Sequence, residues 1–156
     1  MKNTTNTLSL KAAGTFALTI ALTIVLTAAL TSASPVSAAD KPKQLTSSIV
    51  SPKDAHITHY EGGDFHTYFY GDTSLTKGAI TGVAVIKPNN EIHPAHQHPD
   101  EEYLMILEGS GTWTLNGKSQ PALTGDILFA APNDLHGIYN NGDVPLKFVV
   151  VRYQAK

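Results

Sequence analysis

The 156-residue chain contains no cysteine. It therefore has no disulfide, no thiol nucleophile, no thiolate metal site and no cysteine for an N-terminal lipid. Basic runs are missing too. Lys and Arg number 11 against 13 Asp and Glu, a formal net charge of −2. That balance argues against the cationic stripe by which proteins hold nucleic acid or an anionic bilayer. Beyond the N-terminal region, no apolar pattern keeps a 3.6-residue period over three turns, so almost no helix is expected. A Ser-His-Asp pattern, a phosphate loop and a dinucleotide fingerprint are all absent. The chemistry must rest on other groups.

One long apolar run is present, Ala12 to Leu30, bracketed by few charges: Lys2 and Lys11 are the only ones before Asp40. The small residues of Ser34-Pro-Val-Ser-Ala-Ala39 follow it. This order predicts a cleavable signal peptide over residues 1–39 and a secreted or periplasmic protein. The alternative is an uncleaved N-terminal anchor with the domain outside the cytoplasm, which needs a span of about 20 residues. Thr and Gly within the run, and the small-residue tail, favour cleavage. Removing Lys2 and Lys11 leaves 9 basic residues against 13 acidic, a balance of −4 over about 117 residues. After cleavage no membrane contact is expected. Without disulfides, stability must come from the core and from metal.

Residues 40–55 are rich in Pro, Lys and Ser and read as a linker or N-terminal arm. Residues 56–156 suit a single domain. Strands are expected at Phe65–Tyr70, Ala79–Lys87, Glu101–Glu108, Thr112–Leu115, Asp126–Ala130, Gly137–Tyr139 and Leu146–Tyr153. Turns fall at Pro88-Asn89-Asn90, Gly109-Ser110-Gly111 and Pro132-Asn133-Asp134. Asn116-Gly117 is a strong hairpin signal. Short strands spaced by roughly 8–12 residues argue an all-β sandwich or barrel.

The chemistry concentrates in the middle of the chain. His96 and His98 are two apart, Glu102 is four further on, and Gly109 seven beyond that. Side chains two apart on a strand share a face, so the histidines can project together. The Pro99-Asp100 bend can bring Glu102 alongside from the next strand, with Glu101 pointing away. His136 follows a second glycine, Gly125, and must arrive from a strand distant in sequence. Three imidazoles and a carboxylate suit a divalent transition metal.

Both groupings resemble the two motifs of the cupin superfamily, in its small single-domain form. His96, His98, Glu102 and Gly109 match the first motif's spacing, and Gly125, His136 and Asn140 match the second's. The likeness covers about residues 80 to 153. Asn90 and Asn133 stand where the motifs carry glycine, and Ala131 stands in place of the second motif's proline. Asn tolerates the left-handed conformation, so both turns can persist. The resemblance implies a double-stranded β-helix, or jelly-roll barrel, with one metal held by His96, His98, Glu102 and His136. It makes Asn140 a supporting residue. One or two open positions on an octahedral ion would accept water, dioxygen or a chelating substrate.

By that resemblance the chain is expected to be a metalloenzyme of the oxygenase or oxidase type acting on a small molecule. Glu102 would also serve as a catalytic base. The alternatives are a metal-dependent isomerase or lyase, and a non-catalytic cupin that binds a small ligand. Manganese or iron is favoured by the resemblance. Zinc, nickel and copper stay open, since metal affinity outside the cytosol favours copper and zinc. A homodimer is among the expectations, with Phe65–Tyr70 as its interface or else core. His93, three before His96, can line the mouth of the site, but a plain surface position is favoured; His56, His59 and His66 are expected at the surface or an interface. Arg152 and Lys87 can anchor an anionic substrate, but both lie near strand ends, and a solvated charge is the favoured reading. Tyr68, Tyr70, Trp113, Phe129 and Tyr139 are read as core or pocket wall.

Overall fold

The structure is a computed structural model and describes residues 43–156. The expected signal peptide lies outside the described residues.

Among the described residues there is no α-helix, only one 3₁₀ turn at Pro52–Asp54 and nine strands. The strands are β1 His56–Tyr60, β2 Gly63–Gly71, β3 Thr76–Ile86, β4 Glu101–Glu108 and β5 Ser110–Leu115. Then come β6 Lys118–Leu123, β7 Ile127–Ala130, β8 His136–Tyr139 and β9 Leu146–Ala155. One sheet runs β1-β2-β3-β9-β4-β7 and the other β6-β5-β8. Each strand pair is antiparallel. The last strand lies between β3 and β4, which is the crossover of a jelly roll.

Strand alternation builds the interior. On β4, Glu102, Leu104 and Ile106 are 8%, 2% and 1% exposed, whereas Tyr103 and Met105 are 37% and 45% exposed. The same alternation turns Ala84 and Ile86 of β3, and Leu146, Phe148 and Val150 of β9, inward. Trp113 of β5 and Ile138 of β8 close the core from the other sheet. Each large apolar side chain so buried stabilises the barrel by roughly 1.5–3 kcal/mol.

Two strands escape the sequence pattern. β1 and β6 each form one edge of their sheets, β7 and β8 being the others. Edge strands need no apolar face on both sides, and β6 carries Pro121, which sheets tolerate at an edge. Ser110 and Gly111, expected in a turn, already belong to β5. The start of the expected arm docks on the end of β2: Leu45 N–H donates to the Asp72 carbonyl at 2.7 Å, and Asp72 N–H to the Lys43 carbonyl at 2.9 Å. The left-handed residue before the site is Asn89, at φ 53°, rather than Asn90, which pairs with Asn140. Asn133 does take the left-handed conformation, at φ 65°.

The Asn116-Gly117 hairpin forms as expected, with φ of 49° and 78°. Its Asn116 side chain donates to Asp134 Oδ1 at 2.8 Å and accepts from Leu135 N–H at 3.0 Å. The hairpin tip thereby fixes the loop that leads into His136.

Candidate metal centre

Three chain segments meet at one end of the barrel. β4 supplies Glu102 and β8 opens with His136. The third segment carries His96 and His98. It is not the regular strand expected there. Pro94 and Pro99 remove ladder donors on either side, and the pairing shrinks to one bridge between His96 and His136. Their backbones exchange hydrogen bonds of 2.8 and 2.9 Å. The segment can lie this close because residue 137 is glycine. A Cβ there would sit 2.8 Å from the Ala95 Cα.

The three imidazoles form a triangle, with ring centroids 5.2 Å apart for His96–His98 and 4.8 Å for each ring to His136. One nitrogen from each lies within 4.8 Å of the others. Glu102 joins them. Its Oε2 accepts from His98 Nε2 at 3.0 Å, and its Oε1 lies 3.8 Å from His136 Nε2. Trp113 backs His136, ring centroids 5.6 Å apart. All four residues singled out in the sequence are therefore together.

Their hydrogen bonding leaves lone pairs unused. His136 Nδ1 donates to the Asp134 carbonyl at 2.8 Å. A carbonyl can only accept, so the neutral ring keeps its free lone pair on Nε2. That nitrogen, with His96 Nδ1 and His98 Nδ1, is buried without a hydrogen-bond partner. Unpaired buried polar atoms are costly, and each of the three clustered imidazoles carries one. The donor set fits a divalent transition metal.

Electrostatics agree with that use. Burial, helped by His93 and His136, pushes His96 down to about 4, so it stays neutral and able to ligate. Burial also lowers His136, but Glu102 and the Asp134 carbonyl outweigh it and raise the group overall. For Glu102, burial pushes the carboxyl up. Contact with His136 and the charges of His98 and Arg152 more than reverse this and hold it below the usual carboxylate range.

The site opens into a cavity of about 560 Å³ lined by His96, Glu102 and His136 at its polar end. Neighbouring residues follow the sequence readings in part. His93 is exposed, as expected, and also meets the alternative reading: its ring packs edge-on against His96, centroids 4.2 Å apart, and it lines the cavity. Arg152 is not a solvated strand-end charge. It lines the cavity, with its Nε 3.0 Å from Asp100 Oδ2. Phe129 is neither core nor pocket wall. It lies on the outer face, 45% exposed, stacked on Tyr103 at 4.7 Å. Tyr139 is also 40% exposed. Trp113, Phe65 and Tyr70 do line the cavity, as does His56, whereas Tyr68 does not. His59 is exposed and bonds Asp64 at 2.8 Å. Lys87 is exposed, as expected.

Asn140, wholly buried, ties the end of β3 to the loop that follows β8. Its Nδ2 donates toward the carbonyls of Ile86, Lys87 and Val144 at 2.8–3.1 Å, and its Oδ1 accepts from Gly142 N–H at 3.0 Å.

Known proteins resemble the chain in the same region. The family model described as a Cupin domain matches residues 82–152. Polyketide synthase CurC of Streptomyces cyaneus is 30% identical over 111 residues, 68% of this chain and 69% of that protein. An oxalate-binding protein of Thermotoga maritima is 39% identical over 57 residues, 36% of this chain and 47% of that relative. Among solved structures, a predicted oxalate decarboxylase from Thermotoga maritima superposes with a TM-score of 0.55 at 21% identity, covering 68% of this chain and 98% of that one. At that identity the likeness is one of fold.

Proposed function

We propose that this chain, which belongs to the cupin family, holds one divalent transition metal on His96, His98, Glu102 and His136 and acts on a small molecule as an oxygenase- or oxidase-type metalloenzyme. The observation that carries the reading is the clustering of three histidines, one ring nitrogen of each within 4.8 Å of the others, around the Glu102 carboxylate at the end of a cavity. When bound, such an ion supplies Lewis-acid polarisation of chelating oxygens. The chain's own groups do the rest. Asp134 orients His136, and Trp113 shields it from solvent. Glu102, kept ionised by His136, His98 and Arg152, is the group that takes a proton from a hydroxyl or enol reaching it. Manganese or iron is the favoured ion. Signal-peptide cleavage and export, with a homodimer as the working state, belong to the same proposal; the Ala12 to Leu30 run supports export.

A second reading is non-catalytic ligand binding. The name of the Thermotoga oxalate-binding protein favours it. One substitution separates the two. Glu102→Gln keeps the size of the side chain and removes the base. Oxygen consumption over a panel of chelating acids and diols, with metal content measured alongside, is expected to fall about 100-fold or more. Turnover unchanged in this variant rules out the catalytic role of Glu102. Binding of panel members with no turnover by the wild-type chain favours the second reading.

A further inference from the structure

The cavity is larger and more apolar than its polar end requires. Its volume of about 560 Å³ falls in the range that encloses drug-sized molecules, roughly 300–1,000 Å³. Phe65, Ile80, Ile92, Leu104, Trp113 and Val150 are among its walls. A small dianion such as oxalate has no apolar surface to place against them, and would leave that wall wet. Burying a ligand's apolar body there gains about 25 cal/mol per Å².

Charge in the cavity is confined to one place. Arg152 of β9 stands directly opposite Glu102 of β4 in the sheet register, on the same inward face. Its Nε lies close to Asp100 Oδ2, at 3.0 Å, yet out of line, so the atom is buried without a hydrogen bond. Asp100 is held from its other oxygen, Oδ1, by Gln154 Nε2 at 2.6 Å. Asp100 thus offsets the guanidinium charge without satisfying its fork of N–H donors. A planar carboxylate or enolate can do so in bidentate fashion.

We infer that this site takes an anionic molecule with a bulky aromatic or polycyclic body, and that Arg152 anchors its acidic head beside the histidines. The inference deepens the metal-centre reading and rests on it only for the placement of chelating oxygens.

Calorimetric titration of the full chain tests it, with and without manganese(II). The probes are 2-naphthoate, its neutral counterpart 2-naphthamide, and oxalate. Naphthoate is expected to bind about tenfold or more tightly than either of the others. Arg152→Gln is expected to lose that preference over the amide while its affinity for the amide stays the same. Arg152→Lys should recover only part of it, because an ammonium lacks the fork. Oxalate binding as tightly as naphthoate, or unchanged naphthoate affinity in Arg152→Gln, overturns the inference. Should Arg152→Gln fail to fold by circular dichroism, the wild-type comparison and Arg152→Lys still decide. The two readings fail separately. Naphthoate selectivity without manganese uptake sinks the metal reading alone, whereas manganese uptake with oxalate preferred sinks this one alone.

Discussion

His136 divides its two ring nitrogens between structure and chemistry. Nδ1 is committed to the Asp134 carbonyl, and Nε2 faces Glu102 and the other imidazoles. Because Glu102 raises its pKa, His136 takes up a proton before His96, which stays neutral down to about 4. Protonation removes the lone pair a metal needs, so the sign is set: acidification weakens binding. Competition titration against a chromophoric chelator between about pH 8 and about pH 5 is expected to show affinity falling about tenfold per unit at the acid end. A flat profile would count against histidine ligation. All four residues of the centre were legible in the sequence because their spacing is local or repeats a motif. Arg152 was not. β9 is apolar on both faces, with Phe148 and Val150 inward and Val149 and Val151 outward. Alternation alone therefore could not tell which way Arg152 points.

The elements that position these residues differ in how openly the sequence declares them. β4 is plain, since its inward residues alternate with Tyr103 and Met105. The segment carrying His96 is harder to foresee. Its place depends on a glycine forty-one positions away, Gly137, which admits Ala95. Gly137→Val should push that segment off β8 while the hairpin and the core stay in place. We expect about a tenfold or greater loss of metal affinity with little change in circular dichroism. Equal affinity in this variant would show that the bridge between His96 and His136 is not what sets the site. β1 and β6 stay hidden from the sequence for the opposite reason. As edges they answer to one neighbour only, and unlike the edges β7 and β8 they turn no alternating set of residues inward, so their composition is free to be polar or to include Pro121.

At the scale of the whole molecule, the outer face of the six-stranded sheet is apolar where β4 and β7 meet. Tyr103, Met105, Leu107, Ile127 and Phe129 are 36–68% exposed among the described residues and carry no charge. Exposed apolar patches of this kind mark interaction surfaces, and an uncharged one can meet its own copy without like-charge repulsion. This face, more than the Phe65–Tyr70 stretch that lines the cavity, suits the proposed homodimer. Sedimentation analysis is expected to give a dimer for the wild-type chain and a monomer for Phe129→Lys. A wild-type monomer removes the dimer and leaves the centre untouched. The centre itself answers to elemental analysis of the purified full chain beside His96→Ala. The account predicts close to one equivalent of a divalent transition metal in the wild-type protein and its loss in the variant. Equal metal content in both, or none in a wild-type chain supplied with manganese, iron and zinc, would contradict it.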